Sequence, residues 1–351
     1  MLVTGKYPIL DNAPVSQISF ALKPLPPFRL DYTVWVLRRR PDNIWDRWDG
    51  QAYRRVLVLD EKPLDISVTQ NGPPEKPELK IVATGTRIKS DPESHLTAVL
   101  ERLLGLKTDL AGFYRLALKD PKLKPLAFSF RGMKPPRYPS VFEALVNAIT
   151  CQQFTLTAGI RILSRLVVNY GIRFKERNIF FHAFPRPEDL AGVDTEDLRK
   201  LGYSRQKACS LIELARRVVE GGFNLEALAS LEDSIALEEL TDLRGVGRWT
   251  AEYALLRGLG RIHIFPGDDV GVRNRLQDWL KVTRPLDYEG VRCLLNRWKP
   301  YGGLIYFHLL LNGLSEAGQL TIADCGLRIA DCGLKNKIAQ RGNEKKAIHS
   351  L

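Results

Sequence analysis

The sequence has little cysteine and no long uncharged apolar run. Its five cysteines, an odd number scattered over 351 residues, fit reduced thiols better than a disulfide framework. No apolar run approaches the roughly 20 residues of a membrane-spanning helix, and the first thirty residues lack a secretory pattern. We therefore expect a cytoplasmic protein with no membrane partner.

Acidic residues are outnumbered by basic ones. Lys and Arg total 52 against 40 Asp and Glu, which gives a formal net charge of +12 and a pI near 9.5. This balance favours a polyanionic partner such as nucleic acid, although basic enzymes are also common. The length suggests two or three domains with a core that needs no cross-links.

The first part of the chain is rich in proline and in short runs of β-branched and aromatic residues. These runs predict strands of a small antiparallel sheet at 32–37, 54–59, 66–68 and 79–83. Asp91 then marks a helix start, with leucines at helical spacing behind it. We predict a mixed α/β domain over residues 1–125, including this connecting helix.

Helical periodicity prevails from residue 138 to about 314, where strand-like runs are almost absent. Ser140 and Glu143 have the spacing of a capping box, which predicts a helix start at this point. The fold class is therefore mainly α after a small mixed N-terminal domain.

A glycine-bracketed turn, Gly245-Val246-Gly247, separates an apolar run from a helical run that starts at Arg248. This pattern predicts a helix-hairpin-helix over 236–258, with positive φ at the glycines and amide N–H groups exposed to a phosphate. Asp268 and Asp269 open the following helix, 270–281. Two acids at a helix start are either caps or functional carboxylates, and the local sequence leaves both interpretations open.

The end of the chain carries a short duplication, with residues 322–327 repeated as 329–334. It places Cys325 and Cys332 two helical turns apart. Because a metal site needs about four ligands, we predict no metal here. Residues 318–351 are predicted to form a basic tail without fixed structure.

Three blocks resemble the helix-hairpin-helix DNA glycosylase superfamily, and within it the 3-methyladenine DNA glycosylase II branch. They are FEAL…ITCQQ at 142–153, LRGVGRWTA at 243–251 followed by Asp268-Asp269, and RWKPY at 297–301. The resemblance covers about half of the chain. It implies a glycosylase domain over 138–317 with two helical lobes and a cleft between them.

The resemblance also implies the activity: hydrolysis of the N-glycosidic bond of damaged, alkylated purines in duplex DNA by base flipping, as in base excision repair. Asp269 matches the catalytic aspartate of the family, and Asp268 its neighbour. Bifunctional members carry a lysine nucleophile where this chain has Trp249. Since indole cannot form an imine, we expect a monofunctional DNA N-glycosylase that uses water.

Further site residues follow from the same motif positions. The resemblance implies a base pocket lined by Trp249, Tyr253 and Trp298, with Trp35 a looser candidate; each aromatic alone could equally be core. Expected DNA contacts are Gly245, Val246, Gly247, Arg248, Thr250, Gln152 and Gln153. Gln153 matches the side chain that fills the gap left by the extruded base, or it is an ordinary loop residue. The run Arg38-Arg39-Arg40 is expected to be a solvated strand end or to contact the DNA backbone.

The implied partner is double-stranded DNA with damaged bases. We expect the protein to be a cytoplasmic monomer that associates with the nucleoid by binding DNA. No cofactor is expected apart from a structural monovalent cation at the hairpin. Two alternatives stay open. One is a non-catalytic helix-hairpin-helix DNA-binding module, and the other is a glycosylase for oxidised or deaminated purines.

Overall fold

The computed structural model of the chain describes residues 15–86 and 91–320. An antiparallel sheet of five strands, in the order β1-β5-β4-β3-β2, begins the fold. Its strands are β1 (Val15–Leu22), β2 (Arg47–Trp48), β3 (Ala52–Leu59), β4 (Lys62–Asn71) and β5 (Glu78–Thr86). Three of the predicted strands lie inside β3, β4 and β5, so the expected mixed N-terminal sheet is confirmed.

The strand predicted at 32–37 is wrong, because these residues belong to helix α1 (Leu30–Arg38). Nearly every side chain of α1 is buried, with only Asp31 and Trp35 partly exposed. A short segment buried on all sides has no periodicity that separates strand from helix, and here packing overrides the β propensity of its valines.

The rest of the described chain is mainly helical, as predicted. The helices are α2 (Pro92–Leu103), α3 (Ala111–Lys119), α4 (Leu123–Ser129), α5 (Val141–Cys151), α6 (Leu156–Tyr170), α7 (Pro187–Leu190), α8 (Thr195–Lys200), α9 (Arg205–Val219), α10 (Asp233–Thr241), α11 (Arg248–Arg257), α12 (Val270–Leu280), α13 (Tyr288–Leu295) and α14 (Gly302–Glu316). Short 3-10 turns lie at Leu225–Ser230 and Asn296–Trp298. One hairpin, β6 (Arg173–Glu176) with β7 (Ile179–His182), corrects the expectation that this region has almost no strands.

Two hydrophobic cores organise these elements. The first joins the sheet to α5, α6 and α9. The second joins α1, α3 and α4 to α12, α13 and α14. Helix α11 supplies Leu255 to the first core and Leu256 to the second, so it lies between the two lobes. The predicted domain boundary at residue 125 falls inside α4, whose core is shared with α14.

The start of α5 shows how the sheet is fixed to the first lobe. Ser140 Oγ accepts a hydrogen bond from Glu143 N at 3.1 Å, as a capping box requires. The reciprocal half is replaced: the Glu143 carboxylate pairs instead with Arg55 of β3. Arg55 also pairs with Asp46 at 2.7 Å, and all three side chains are buried. We call these three residues the interdomain triad.

The duplicated segment and almost all of the predicted tail lie outside the described residues, as do Cys325 and Cys332. Across 15–86 and 91–320, no helix combines the length and apolar character needed to cross a membrane.

Candidate active-site cleft

The predicted hairpin lies between α10 and α11, and its two glycines have different roles. Gly245 has φ of 77°, and a Cβ there would lie 2.4 Å from Ser210 Oγ, so only glycine fits. Gly247 caps α11 with an ordinary φ of −94°, which corrects the expectation of positive φ at both positions. No atom lies within 4 Å of a Cβ built on Gly247, so the approach to this helix start is open. Val246 between them is buried and anchors the turn.

Asp269 is both a cap and a cleft residue. Its Oδ1 accepts from Val272 N at 3.1 Å and so caps α12. Its Oδ2 accepts from Tyr306 Oη at 2.9 Å and from Trp249 Nε1 at 3.4 Å. Burial and the nearby Asp269 carboxylate raise the pKa of Tyr306 well above its ordinary value, so its hydroxyl keeps the proton that it donates. The two interpretations left open by the sequence are therefore compatible.

The segment before Asp269 is held in place by a buried acid, Glu252. Glu252 accepts from Gly267 N at 3.3 Å and from Tyr288 Oη at 2.6 Å. Burial raises the pKa of Glu252. A Cβ on Gly267 would lie 2.7 Å from the Tyr288 ring, which explains why glycine stands at this position. These contacts fix the turn that presents the Asp269 carboxylate.

Asp269 lies in a cleft of about 650 Å³. The cleft is lined from three directions, by the loop after α5, the start of α11 and the start of α12. Its lining residues are Cys151, Gln152, Gln153, Phe154, Gly247, Arg248, Trp249, Thr250, Asp268, Asp269, Val270 and Gly271. Eight of the residues singled out from the sequence therefore lie together here.

The four aromatic candidates separate into two groups. Trp249 lines the cleft and packs against Tyr253, with ring centroids 5.6 Å apart. Trp298 is fully buried, packs on Trp279 and donates to Asp120 Oδ2 at 2.7 Å. Trp35 lies on α1 beside the Arg38 guanidinium. Of the four, Trp249 is among the side chains that line the cleft, Tyr253 is buried against it, and Trp298 and Trp35 are not in the lining.

Some of the residues expected to contact DNA are bonded within the protein, whereas others are exposed to solvent. Gln152 Nε2 donates to Gly245 O and to Thr250 Oγ1, both at 2.8 Å, so Gln152 and Thr250 tie the loop to the hairpin. Arg248 pairs with Asp268 at 2.8 Å and lies over the Tyr288 ring. This ion pair is half-exposed, so Arg248 remains within reach of solvent.

Gln153 occupies the tip of the loop, exposed and with φ of 54°. Phe154 beside it leaves 40% of its surface exposed. Lys207 lies under this loop: its Nζ is 3.9 Å from the centre of the Phe154 ring and donates to Thr150 O and Gln152 O. Lys207 has no motif around it in the sequence that would indicate this contact.

Tyr306 is the main site residue that sequence reasoning missed. A hydroxyl within the apolar run of α14 was the only available signal. The arginine run at 38–40 was also misjudged, because Arg38 and Arg39 are buried rather than solvated. These two arginines are buried because α1 is a helix whose end packs against α5 of the first lobe.

Metal ligands are scarce in the part of the chain that the structure describes, which contains no group of three or more His, Cys, Asp or Glu side chains suited to a metal ion. The backbone carbonyls of the hairpin turn are the groups available to the predicted monovalent cation. One of them, Gly245 O, already accepts from Gln152. The cation therefore stays a prediction.

Taken together, the two helical lobes, the hairpin and the cleft carboxylate define a helix-hairpin-helix protein. The family model of HhH-GPD superfamily base excision DNA repair proteins matches residues 146–300. Residues 146–300 of this chain therefore resemble that superfamily.

Similar proteins include DNA-3-methyladenine glycosylase of Bacillus subtilis, which is 29% identical over 58% of this chain and 67% of its own length. DNA-3-methyladenine glycosylase 2 of Escherichia coli is 29% identical over 51% of this chain and 60% of its own. The chain thus spans about two thirds or less of these curated relatives. The solved 3-methyladenine DNA-glycosylase from Archaeoglobus fulgidus superposes with a TM-score of 0.73 at 27% identity, over 86% of this chain and 100% of its own.

Proposed function

We propose that this protein is a monofunctional DNA glycosylase that hydrolyses the N-glycosidic bond of alkylated purines in duplex DNA. The observation that carries the proposal is the Asp269 carboxylate, which lies in the cleft beside the hairpin with Oδ2 held by Tyr306 and Trp249. The names of the similar proteins support the same reaction.

The chemistry follows from the charge that develops on the sugar. As the bond from C1′ to the base nitrogen breaks, its electron pair leaves with the base and the sugar becomes oxocarbenium-like. The Asp269 carboxylate stabilises this positive charge and orients a water molecule. Water adds its hydroxyl to C1′ and passes its second proton to the Asp269 carboxylate, which returns it to solvent, giving an abasic site and a free base. A purine methylated at N3 or N7 is already cationic, so it leaves without needing an added proton.

Trp249 determines which nucleophile is used. It stands where a lyase would carry an amine, and indole forms no Schiff base with the sugar. Its ring instead packs on Tyr253 and faces the cleft, where an electron-rich surface stacks well on a cationic base. Borohydride should therefore fail to trap the protein on DNA.

DNA would be held mainly through its phosphates. The N–H groups at the start of α11 carry the positive end of the helix dipole, and the space around a Cβ built on Gly247 is empty. Arg248 adds a charge at the same point once a phosphate competes with Asp268. Gln153, exposed at the loop tip next to the exposed Phe154 ring, would fill the gap in the base stack.

The test is the release of free bases from methylated duplex DNA, identified by chromatography. Asp269→Asn keeps an oxygen that can cap α12 but loses the charge, so we expect base release to fall by roughly a hundredfold or more. Binding to DNA that contains an abasic site should be retained. Asp287→Asn is the matched control, because Asp287 also caps a helix, α13, but is exposed to solvent.

Two results would contradict the proposal. Undiminished release by Asp269→Asn would remove the carboxylate from the mechanism. No release from any damaged duplex by the wild type, with salt-sensitive DNA binding intact, would instead indicate a non-catalytic DNA-binding module.

A further inference from the structure

Arg39 is a buried cation next to the active-site cleft. It ends α1 with a left-handed φ of 61° and is only 7% exposed. One guanidinium nitrogen donates to Asn147 Oδ1 at 2.8 Å, while Nε is buried without a hydrogen-bond partner. Within the described residues, no carboxylate lies at ion-pair distance from Arg39.

A chain of contacts leads from Arg39 to the cleft. Asn147 Oδ1, which accepts from Arg39, also lies 3.4 Å from Tyr138 Oη. Tyr138 Oη lies 3.0 Å from Tyr253 Oη, and the Tyr253 ring packs on Trp249. Arg39 is therefore at the inner end of the aromatic group whose outer end lines the cleft.

Two of the groups around the Arg39 charge also belong to the cleft or contact its carboxylate. The neutral hydroxyls of Tyr138, Tyr253 and Tyr306 and the thiol of Cys151 lie around its charge. Tyr306 is the residue that donates to the catalytic candidate, and Cys151 lines the cleft. The guanidinium thus lies behind the space that an extruded base would enter.

A buried guanidinium without an anion is costly, because its donors have lost water and gained few acceptors. An occupant of the pocket that supplied an acceptor oxygen would relieve this cost. An occupant without one would leave the donors unsatisfied, which is the situation in which binding sites discriminate best.

We propose that Arg39 is a specificity-determining residue that donates to an exocyclic carbonyl oxygen on the extruded purine. The proposal rests on the proposed glycosylase function and adds to it the substrate class: purines with a carbonyl on the edge that faces Arg39. Among methylated purines, 7-methylguanine has such an oxygen and 3-methyladenine does not. Both are cationic in DNA, so charge does not separate them; because they also differ in the position of the methyl and amino groups, the test is the change in their ratio when Arg39 is replaced.

The experiment measures both bases released from one sample of methylated duplex DNA, each relative to its content. Arg39→Met removes the donors while keeping a long apolar stem. We expect it to lower the ratio of 7-methylguanine to 3-methyladenine release by about tenfold or more, since hydrogen bonds to charged groups are strong. Arg39→Lys keeps a charged donor, so its ratio of 7-methylguanine to 3-methyladenine release should lie between the ratios of the wild type and of Arg39→Met. Arg199→Met deletes an arginine from an exposed ion pair on α8 and should leave the ratio unchanged.

The ratio distinguishes the outcomes. An equal loss of both activities in Arg39→Met, or an unchanged ratio, would overturn the role of Arg39. No release of either base by the wild type would refute the proposed function instead.

If Arg39→Met does not fold, wild-type inhibition by the free bases decides the question. Free 7-methylguanine should then inhibit at a concentration about tenfold lower than 3-methyladenine. Equal inhibition by the two bases would overturn the proposal.

Discussion

The two oxygens of the Asp269 carboxylate have separate partners. Oδ1 is used by the backbone of α12, and Oδ2 is used by Tyr306 and Trp249. The cap fixes the position of the carboxylate, and the two side-chain donors fix its orientation toward the cleft. A group preorganised in this way needs little rearrangement when positive charge develops on a sugar.

Tyr306→Phe tests this orientation at the residue scale. The change removes the 2.9 Å donor and leaves Oδ2 only the longer contact with Trp249. We expect single-turnover base release to slow by about tenfold, because a hydrogen bond to a charged group is worth roughly 1.5–3 kcal/mol at most sites. Affinity for DNA should be unchanged, as Tyr306 is buried.

Tyr301→Phe is the matched control, since Tyr301 begins the same helix α14 but packs against Phe113 outside the cleft. A wild-type rate for Tyr306→Phe, or equal slowing by both variants, would show that the hydroxyl does not orient the carboxylate.

At the scale of elements, the two glycines of the hairpin have different roles. The fold requires Gly245, whereas Gly247 leaves empty space at the start of α11. Gly245 is needed for its positive φ and for the close approach of Ser210. Gly247 meets neither constraint, since its φ is ordinary and its surroundings are empty. The fold alone does not explain Gly247, whereas a phosphate approaching the start of α11 does.

The two glycines should therefore respond differently to alanine. Gly247→Ala should leave the melting temperature near that of the wild type and weaken binding to duplex DNA by about tenfold, because its methyl group would occupy the phosphate's approach. Gly245→Ala should destabilise the protein by about 1–3 kcal/mol through strained φ and contact with Ser210. Thermal unfolding and fluorescence anisotropy measure the two effects. Wild-type DNA affinity in Gly247→Ala would rule out the phosphate site.

Elements with local signals were predictable from the sequence. The cap at Ser140, the hairpin glycines and the aspartate that opens α12 are each recognised within a few residues. Helix α1 was not, because its burial on all sides comes from contacts with distant elements. Tyr306 and Arg39 were missed for the same reason: Tyr306 meets Asp269, and Arg39 meets Asn147, only through tertiary packing, and neither has a motif around it.

For the molecule as a whole, the interdomain triad is the main buried polar link between the sheet and the first lobe. One guanidinium, Arg55, is shared by Asp46 and Glu143, so the fully ionised triad would bury a net negative charge. Glu143 Oε1 has no hydrogen-bond partner. Burial therefore raises the pKa of Glu143 to about 7, in spite of the opposing charge of Arg55. Helix α5 runs from this triad to the cleft loop. The protonation of Glu143 therefore affects the stability of both the triad and the loop.

The raised pKa predicts a specific dependence of stability on pH. Between about 4.5, the ordinary value, and about 7, the folded protein holds a proton on Glu143 that the unfolded chain has lost. This contribution is complete below pH 4.5 and disappears as the pH rises through 7, because the unfolded state binds fewer protons across that window.

Glu143→Gln removes the titrating group while keeping a neutral side chain of the same shape. We expect the wild type to lose about 2–3 kcal/mol of unfolding free energy relative to Glu143→Gln between pH 5 and pH 8, measured by denaturant titration at each pH. Taking the difference between the two proteins cancels the titration of all other groups. Glu213→Gln, which alters an exposed ion pair with Arg244, should run parallel to the wild type. A constant gap between wild type and Glu143→Gln would mean that Glu143 stays ionised, and that Arg55 alone suffices to hold two buried carboxylates across the junction of sheet and lobe.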